Sequence, residues 1–311
     1  MAPVPMGSAP ASSGATDRME LAKRFIPHMV LSNGSAKSMT SHPSSLLIPN
    51  PAENAAERFT VLGNAVVTGG TGTLGLKACH ALLEHGLSGL AIFDINATQC
   101  EEQASTIRHR FPDRKFAILR VDVTDDIAVT EAVEQATALV GPINHLFCFS
   151  GIVGCVDAIN LRPAQWRQVL EVNTTGAFFC AQAVARKMIE QNLRGSINFT
   201  ASISAHRVNY PQPQAAYNVS KAALITLKNC LAAEWARYGI RTNTLSPGYM
   251  DTILNEGDGL SETRKLWTER NPSGRMGMPS ELTGAVVLLA STAGSYINGA
   301  DIVVDGGGIV F

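Results

Sequence analysis

The sequence predicts a single doubly wound α/β domain, with a mainly parallel seven-stranded sheet flanked by helices on both faces. Two observations predict it. Apolar runs of strand length alternate with stretches of helical period from residue 61 onward, and a glycine-rich turn follows the first run. The apolar runs are 64–68, 90–93, 116–121, 145–149, 196–200, 241–245 and 301–304. Helical periodicity falls between them, over 74–84, 98–110, 126–139, 163–190, 215–238 and 280–290. Strands separated by helices form βαβ units with right-handed crossovers, which bury a parallel sheet on both faces.

At 311 residues, 45% hydrophobic and 16% charged, the chain can fill a sizeable core. A net charge of −1 and a pI near 6.7 leave no basic footprint for nucleic acid and no polybasic membrane patch. The cysteines, Cys79, Cys100, Cys148, Cys155, Cys180 and Cys230, form no CxxC and have no histidine at a metal-ligand spacing. Free thiols and no metal are expected. No apolar run is long enough to span a bilayer and no secretory signal pattern opens the chain, so a cytoplasmic protein without a membrane partner is expected. Residues 1–58 are rich in Ala, Ser and Pro and read as a flexible, low-complexity extension, with 59–311 as the α/β domain. Arg18, Lys23, Arg24 and Lys37 against few acids leave a mitochondrial transit peptide as the other reading of that extension.

The first strand runs directly into Thr68-Gly69-Gly70-Thr71-Gly72-Thr73-Leu74-Gly75, and a helix follows. Glycines there allow a tight turn and let backbone N–H groups approach a pyrophosphate, which a helix N-terminus also attracts. A structural glycine turn is the plainer alternative, but the place between first strand and helix is that of a Rossmann-like dinucleotide site. Asp94 closes the second strand about twenty residues later. A carboxylate there accepts from both ribose hydroxyls and repels the extra phosphate of NADP. No Arg or Lys lies within 70–75 or immediately after Asp94, which favours NAD. Capping of the next helix is the other reading of Asp94.

Tyr217-Asn218-Val219-Ser220-Lys221 opens a long helical pattern. Residues four apart share a helix face, so the phenol and the ammonium point into one cleft. A free tyrosine, with a pKa near 10, is a poor base at neutral pH; Lys221 and a cationic nicotinamide are expected to lower that value. Upstream, residues 195–204 read as a strand ending in hydroxyls, and Ser202 or Ser204 can donate to a substrate oxygen as charge develops there. A turn or cap serine is the plainer reading of either one alone.

Together these features resemble the short-chain dehydrogenase/reductase superfamily, from about residue 62 to the C-terminus. The resemblance implies nicotinamide-dependent hydride transfer between a secondary alcohol and a ketone, with Ser202, Tyr217, Lys221 and Asn173 as the catalytic set. It aligns Asp122-Val123 with the family's adenine contact. It aligns Asn173, within Val172-Asn173-Thr174-Thr175-Gly176, with the helix asparagine that holds a proton-relay water. Pro247-Gly248 and Thr252 resemble the segment facing the nicotinamide, and 274–279 and 304–308 also match. The implied cofactor set adds Gly69, Thr71, Gly72, Thr73, Leu74, Gly75, Asp94, Ile95, Ser150, Gly151, Tyr217 and Lys221. Two motifs depart from the pattern. Thr73 stands where the family has Gly or Ala, and Cys148-Phe149-Ser150-Gly151 replaces Asn-Asn-Ala-Gly, with Cys148 read as a small buried filler.

Residues 211–218, Pro-Gln-Pro-Gln-Ala-Ala-Tyr-Asn, resemble fungal-type polyol dehydrogenases and ketose reductases acting on arabinitol, mannitol, sorbose or xylulose. A carbonyl or 3-oxoacyl reductase of secondary metabolism is the alternative enzyme, and a catalytically silent NAD-sensing regulator the alternative of another class. The complete catalytic set argues for turnover. Substrate choice is expected from residues 249–275, with Asn255, Glu256, Asp258 and Trp267 and a mobile lid on Gly257 and Gly259. The resemblance also implies a homodimer or homotetramer formed through 163–190 and 215–238.

Overall fold

Runs of strand length, most of them buried on both faces, build β1 (Asn64–Thr68), β2 (Gly89–Asp94), β3 (Lys115–Arg120), β4 (Ile143–Cys148), β5 (Gly195–Thr200), β6 (Ile240–Pro247) and β7 (Asp301–Val304). They form one seven-stranded sheet in the order β3-β2-β1-β4-β5-β6-β7, every pairing parallel. The computed structural model describes residues 28–35, 37–41, 55–252, 255 and 260–310, without the side chains of 97–100 and 102–103. The fold occupies the unit Leu31–Phe311. Most of the expected extension 1–58 lies outside the described residues, as do Glu256, Gly257, Asp258, Gly259 and the Cys100 side chain. Within 31–58, Ser41 accepts from Arg194 through both its carbonyl (3.2 Å) and its hydroxyl (2.9 Å).

The helices between strands are α1 (Thr73–Glu84), α2 (Ala97–Arg110), α3 (Asp126–Val140), α4 (Pro163–Leu170), α5 (Gly176–Glu190), α6 (Ala215–Trp235), α7 (Ser261–Glu269) and α8 (Thr283–Ala290). Alternate strand residues separate two cores. Val66, Ala91, Phe93 and Leu146 pack with α3, α5 and α6; Ala65, Val67, Leu90, Ile92 and Phe147 pack with α1 and α8. Each buried Leu, Val or Phe contributes about 1.5–3 kcal/mol, so a one-residue slip of any central strand would exchange the two cores.

The helix expected over 163–190 is continuous but carries a π-bulge. A π-turn, Glu171–Thr175, separates α4 from α5 and carries Asn173 inward. The segment 249–275, expected to choose the substrate, contains the helix α7; Trp267 on it is 6% exposed. Its polar majority hid the helix, because one buried indole does not make an apolar period.

The sheet order reverses at β1, whose neighbours β2 and β4 carry the chain in opposite directions, so a crevice opens beyond the carboxyl ends of β1 and β4. Here Thr68 ties the segment after β4 to β1. Its carbonyl accepts from Phe149 N–H (2.9 Å) and its hydroxyl from Ser150 N–H (3.3 Å), while Cys148 is buried in the core. Cys79, Cys148, Cys155, Cys180 and Cys230 are free thiols.

His145 on β4 supplies a stability test. One ring nitrogen, Nε2, lies 2.8 Å from the Leu62 carbonyl, and the other, Nδ1, is buried without a partner. Desolvation, aided by Arg241, lowers its pKa to about 4 against the opposing Leu62 hydrogen bond. A folded chain that refuses a proton the unfolded chain accepts loses stability as pH falls from about 6.5 to about 4. Thermal unfolding of the wild type should therefore drop more steeply over that window than that of His145→Gln; parallel slopes would refute the assignment.

Candidate active site

The carboxyl ends of the strands open into one cleft of about 1030 Å³. On one side it is lined by Gly69, Thr71, Gly72, Thr73, Leu74 and Gly75 of the glycine turn, with Asp94 and Ile95 after β2 and Asp122 and Val123 after β3. Ser150, Gly151, Pro247, Gly248 and Thr252 join them, together with Ser202, Ser204, Tyr217 and Lys221. The residues expected to hold a dinucleotide thus lie in the same space as the proton-handling groups.

The turn explains its glycines. Gly69 has φ +63°, and a Cβ there would stand 2.6 Å from the Ser150 nitrogen. A Cβ on Gly75 would stand 2.3 Å from the Gly69 carbonyl oxygen, so the first turn of α1 packs directly on the loop. Gly72 caps the helix without any side-chain hydrogen bond, which leaves the helix N-terminus to the cleft. Thr73 begins α1 partly exposed, so its departure from Gly or Ala changes the turn's surface and not its path. Asp94 Oδ2 accepts from the Thr71 hydroxyl (2.5 Å) and backbone N–H (3.3 Å), and Oδ1 accepts from Asn96 N–H (3.1 Å). The carboxylate therefore ties the turn to the end of β2 while facing the cleft. An uncapped helix N-terminus and a carboxylate at this separation fit a nicotinamide dinucleotide: the turn suits its pyrophosphate and Asp94 a ribose diol.

At the other end, Lys221 is 5% exposed and donates from Nζ to the Thr200 carbonyl at 2.6 Å. Its ammonium lies 5.6 Å from the centroid of the Tyr217 ring. Burial lowers the Lys221 pKa to about 8. Burial also pushes the Tyr217 phenol up to about 12, against a hydrogen bond with Ser202 and with a smaller contribution from Tyr249. The expected depression of Tyr217 by Lys221 is thus absent from the protein alone. The ammonium is directed at a backbone carbonyl, and desolvation of the phenolate outweighs it.

Ser202 stands extended at the entry of a 3-10 turn, Ile203–Ala205, and its Oγ accepts from Ser204 N–H at 3.1 Å. The same hydroxyl donates to Ser204 Oγ at 3.1 Å and bonds Tyr217. Ser202 is therefore both a turn cap and the hydroxyl beside the phenol, with Ser204 behind it. Asn218 pins this loop to α6 by donating to the carbonyls of Ser204 (2.7 Å) and Arg207 (2.9 Å).

Asn173 lies buried behind the cleft. Its amide donates to the Ile152 carbonyl (2.9 Å) and Ser220 Oγ (3.0 Å), and its oxygen accepts from Ile152 N–H (2.8 Å). A Cβ on Gly151 would meet Asn173 Oδ1 at 3.3 Å and Lys221 Nζ at 3.6 Å, so the glycine keeps the space between those two groups open.

The cleft has a further wall, in which Tyr249 and Trp267 come from the stretch expected to choose the substrate while Asn209, Gln212, Gln214 and Cys155 were not expected there. Asn209, Gln212 and Gln214 line it from the segment before α6, with Cys155, Tyr249 and Trp267. Asn209 Nδ2 and Gln212 Nε2 donate to the Tyr249 hydroxyl at 3.0 and 3.1 Å, and Gln214 Nε2 lies 3.1 Å from Cys155 Sγ. Trp267 stacks on Tyr249 with centroids 4.1 Å apart and planes within 8°. The available signal was the run of glutamines and prolines at 211–214, too polar for a turn built only to connect. Asn255, expected to take part in substrate choice, lines the cleft and donates to the Met250 carbonyl at 2.7 Å. Among the described residues no group of three or more His, Cys, Asp or Glu side chains could hold a metal ion, and no helix is long and apolar enough to cross a membrane.

A family model described as enoyl-(acyl carrier protein) reductase matches residues 70–308. Galactitol 2-dehydrogenase (L-tagatose-forming) of Cereibacter sphaeroides is 38% identical over 247 residues, 78% of this chain and 93% of that protein. NADP-dependent mannitol dehydrogenase of Hypocrea jecorina is 35% identical over 267 residues, 84% of this chain and 98% of that protein. The crystal structure of a short-chain type dehydrogenase/reductase from Mycobacterium marinum superposes with a TM-score of 0.78 at 36% identity, covering 82% of this chain and 99% of that one. Sheet order, cleft and relatives agree, and the chain belongs to the short-chain dehydrogenase/reductase family.

Proposed function

We propose that this chain interconverts a secondary hydroxyl of a polyol and the ketone of the corresponding ketose, with NAD(H) as the preferred cofactor. One observation carries the substrate class. The amides of Asn209, Gln212 and Gln214 and the phenol of Tyr249 stand in the same cleft as Ser202 and Tyr217, a wall suited to several oxygens on one small molecule. The relatives named for galactitol and mannitol support the same reading. The preference for NAD rests on Asp94, whose charge repels a phosphate on the adenosine ribose, and it is independent of the substrate reading.

When bound, the nicotinamide dinucleotide supplies the hydride acceptor for oxidation or the donor for reduction. The chain's own residues handle the proton. In ketone reduction, the Tyr217 hydroxyl gives its proton to the carbonyl oxygen as charge grows there, and the Ser202 hydroxyl donates a second hydrogen bond to the same oxygen. In oxidation the same phenol oxygen takes the hydroxyl proton. Lys221 holds its cation beside the phenol ring, and Gly151, by lacking a side chain, leaves Asn173 Oδ1 and Lys221 Nζ uncovered on the path by which the proton leaves.

A pKa near 12 keeps Tyr217 protonated through the neutral range, ready as an acid and poor as a base. Oxidation should consequently quicken as pH rises from 6 to 9, while reduction does not. Initial rates in both directions read this, and oxidation rates flat with pH would count against Tyr217 as the base. Tyr217→Phe should lower kcat by about 10²–10⁴-fold in both directions while NADH still quenches protein fluorescence on binding. Turnover unaffected by that change would end the proposed chemistry. For the cofactor, kcat/KM should favour NAD over NADP, and Asp94→Ser should narrow that ratio by at least about tenfold. A wild-type preference for NADPH would overturn the role given to Asp94. A panel of hexitols, pentitols, ketoses and a 3-oxoacyl thioester, assayed with both cofactors, tests the substrate class.

A further inference from the structure

One hydrogen bond at Tyr249 has a forced direction. An indole N–H can only donate, so Trp267 Nε1, 3.3 Å from Gln212 Oε1, fixes that oxygen as the acceptor. The Gln212 amide nitrogen is then turned to the Tyr249 hydroxyl, to which it donates at 3.1 Å. Asn209 Nδ2 donates to the same hydroxyl at 3.0 Å. A phenol oxygen has two acceptor positions and one proton. With the Asn209 amide turned this way both acceptor positions are filled, Asn209 Oδ1 is left buried without a partner, and among the described residues no side chain or backbone group accepts the Tyr249 proton. Burial holds the Tyr249 phenol above its ordinary range, so the proton is present at neutral pH.

Tyr249 is also rigidly held. Its ring stacks face to face on Trp267 and it follows Pro247-Gly248 at the end of β6. A Cβ on Gly248 would stand 2.8 Å from the Asp305 Cα, so the backbone before Tyr249 is packed against the C-terminal segment. Tyr249 lines the reaction cleft together with Tyr217.

We infer that Tyr249 is a specificity-determining hydrogen-bond donor, committed by the Trp267–Gln212 chain to give its proton to a second oxygen of the substrate. The inference rests on the polyol reading above and adds the residue that enforces it. A ketone without a second oxygen leaves a buried donor unmatched, whereas a ketose or polyol satisfies it. Gln212 is the positioning residue: without it the hydroxyl regains an acceptor position and its proton is no longer committed to the substrate.

The test compares a ketohexose with 2-hexanone, a matched chain that lacks the extra hydroxyls. Tyr249→Phe preserves the ring that stacks on Trp267 and removes only the hydroxyl. It should raise KM for the ketohexose about tenfold and, because the unmatched donor is gone, lower KM for 2-hexanone. Gln212→Leu, which breaks the directing chain and retains the Tyr249 hydroxyl, should raise the ketohexose KM in the same sense by a smaller factor. Unchanged ketohexose KM in Tyr249→Phe, or an equal rise for both substrates, would overturn the inference while leaving the polyol reading intact. A wild-type chain that reduces 2-hexanone but no ketose overturns both.

Discussion

Lys221 carries its ammonium into the interior, where the Thr200 carbonyl at the end of β5 accepts from it at 2.6 Å. Burying a cation away from water is expensive unless the charge is met by hydrogen bonds, so α6 is constrained to dock where Nζ reaches that carbonyl. One helical turn earlier the same docking sets Tyr217, and two residues beyond Thr200 the chain places Ser202 beside the phenol. Ser220, adjacent to the lysine, receives the Asn173 amide at 3.0 Å and so brings the π-turn to the same point. One buried charge thus holds three elements in register: a strand end, a helix and a π-turn.

The low dielectric that makes this anchor strong also governs the acid and the base. Desolvation disfavours the charged forms of both groups, taking Lys221 down to about 8 and Tyr217 up to about 12. The stable arrangement at neutral pH is a neutral phenol beside a cation held by backbone. Proton donation to a carbonyl oxygen is therefore built into the resting protein. Proton removal from an alcohol requires a change in the electrostatics of the cleft beyond what these side chains provide.

The architecture was legible in the sequence because strand runs and helix periods report burial directly. Each apolar run from 64–68 to 301–304 became a strand with its ends within a few residues of the expected position. Asp94, Tyr217 and Lys221 were legible for a related reason: each sits at a fixed step from a strand end or helix start, so spacing determines where its side chain goes. Three things were not legible. The π-turn at Asn173 leaves no mark on a helical period, and α7 hides in a polar segment that buries a single Trp267. The direction of the Tyr217 shift depends on how deeply the phenol is buried and where the Lys221 ammonium points, which spacing alone does not specify.

The substrate wall was the least legible part, for the same reason that it can vary independently. Ser202, Tyr217 and Lys221 are set by β5 and α6, elements whose cores allow little movement. Asn209 and Gln212 come from a connecting segment, Tyr249 from the residue after a Pro-Gly pair, and Trp267 from α7. Their hydrogen bonds link segments 37 to 55 residues apart, and no local period encodes such pairs. Substitutions in this second network can change which oxygens are recognised while the proton-handling groups keep their places. The two networks come near each other at Tyr217 and Tyr249, where the chemistry of one oxygen meets the recognition of another.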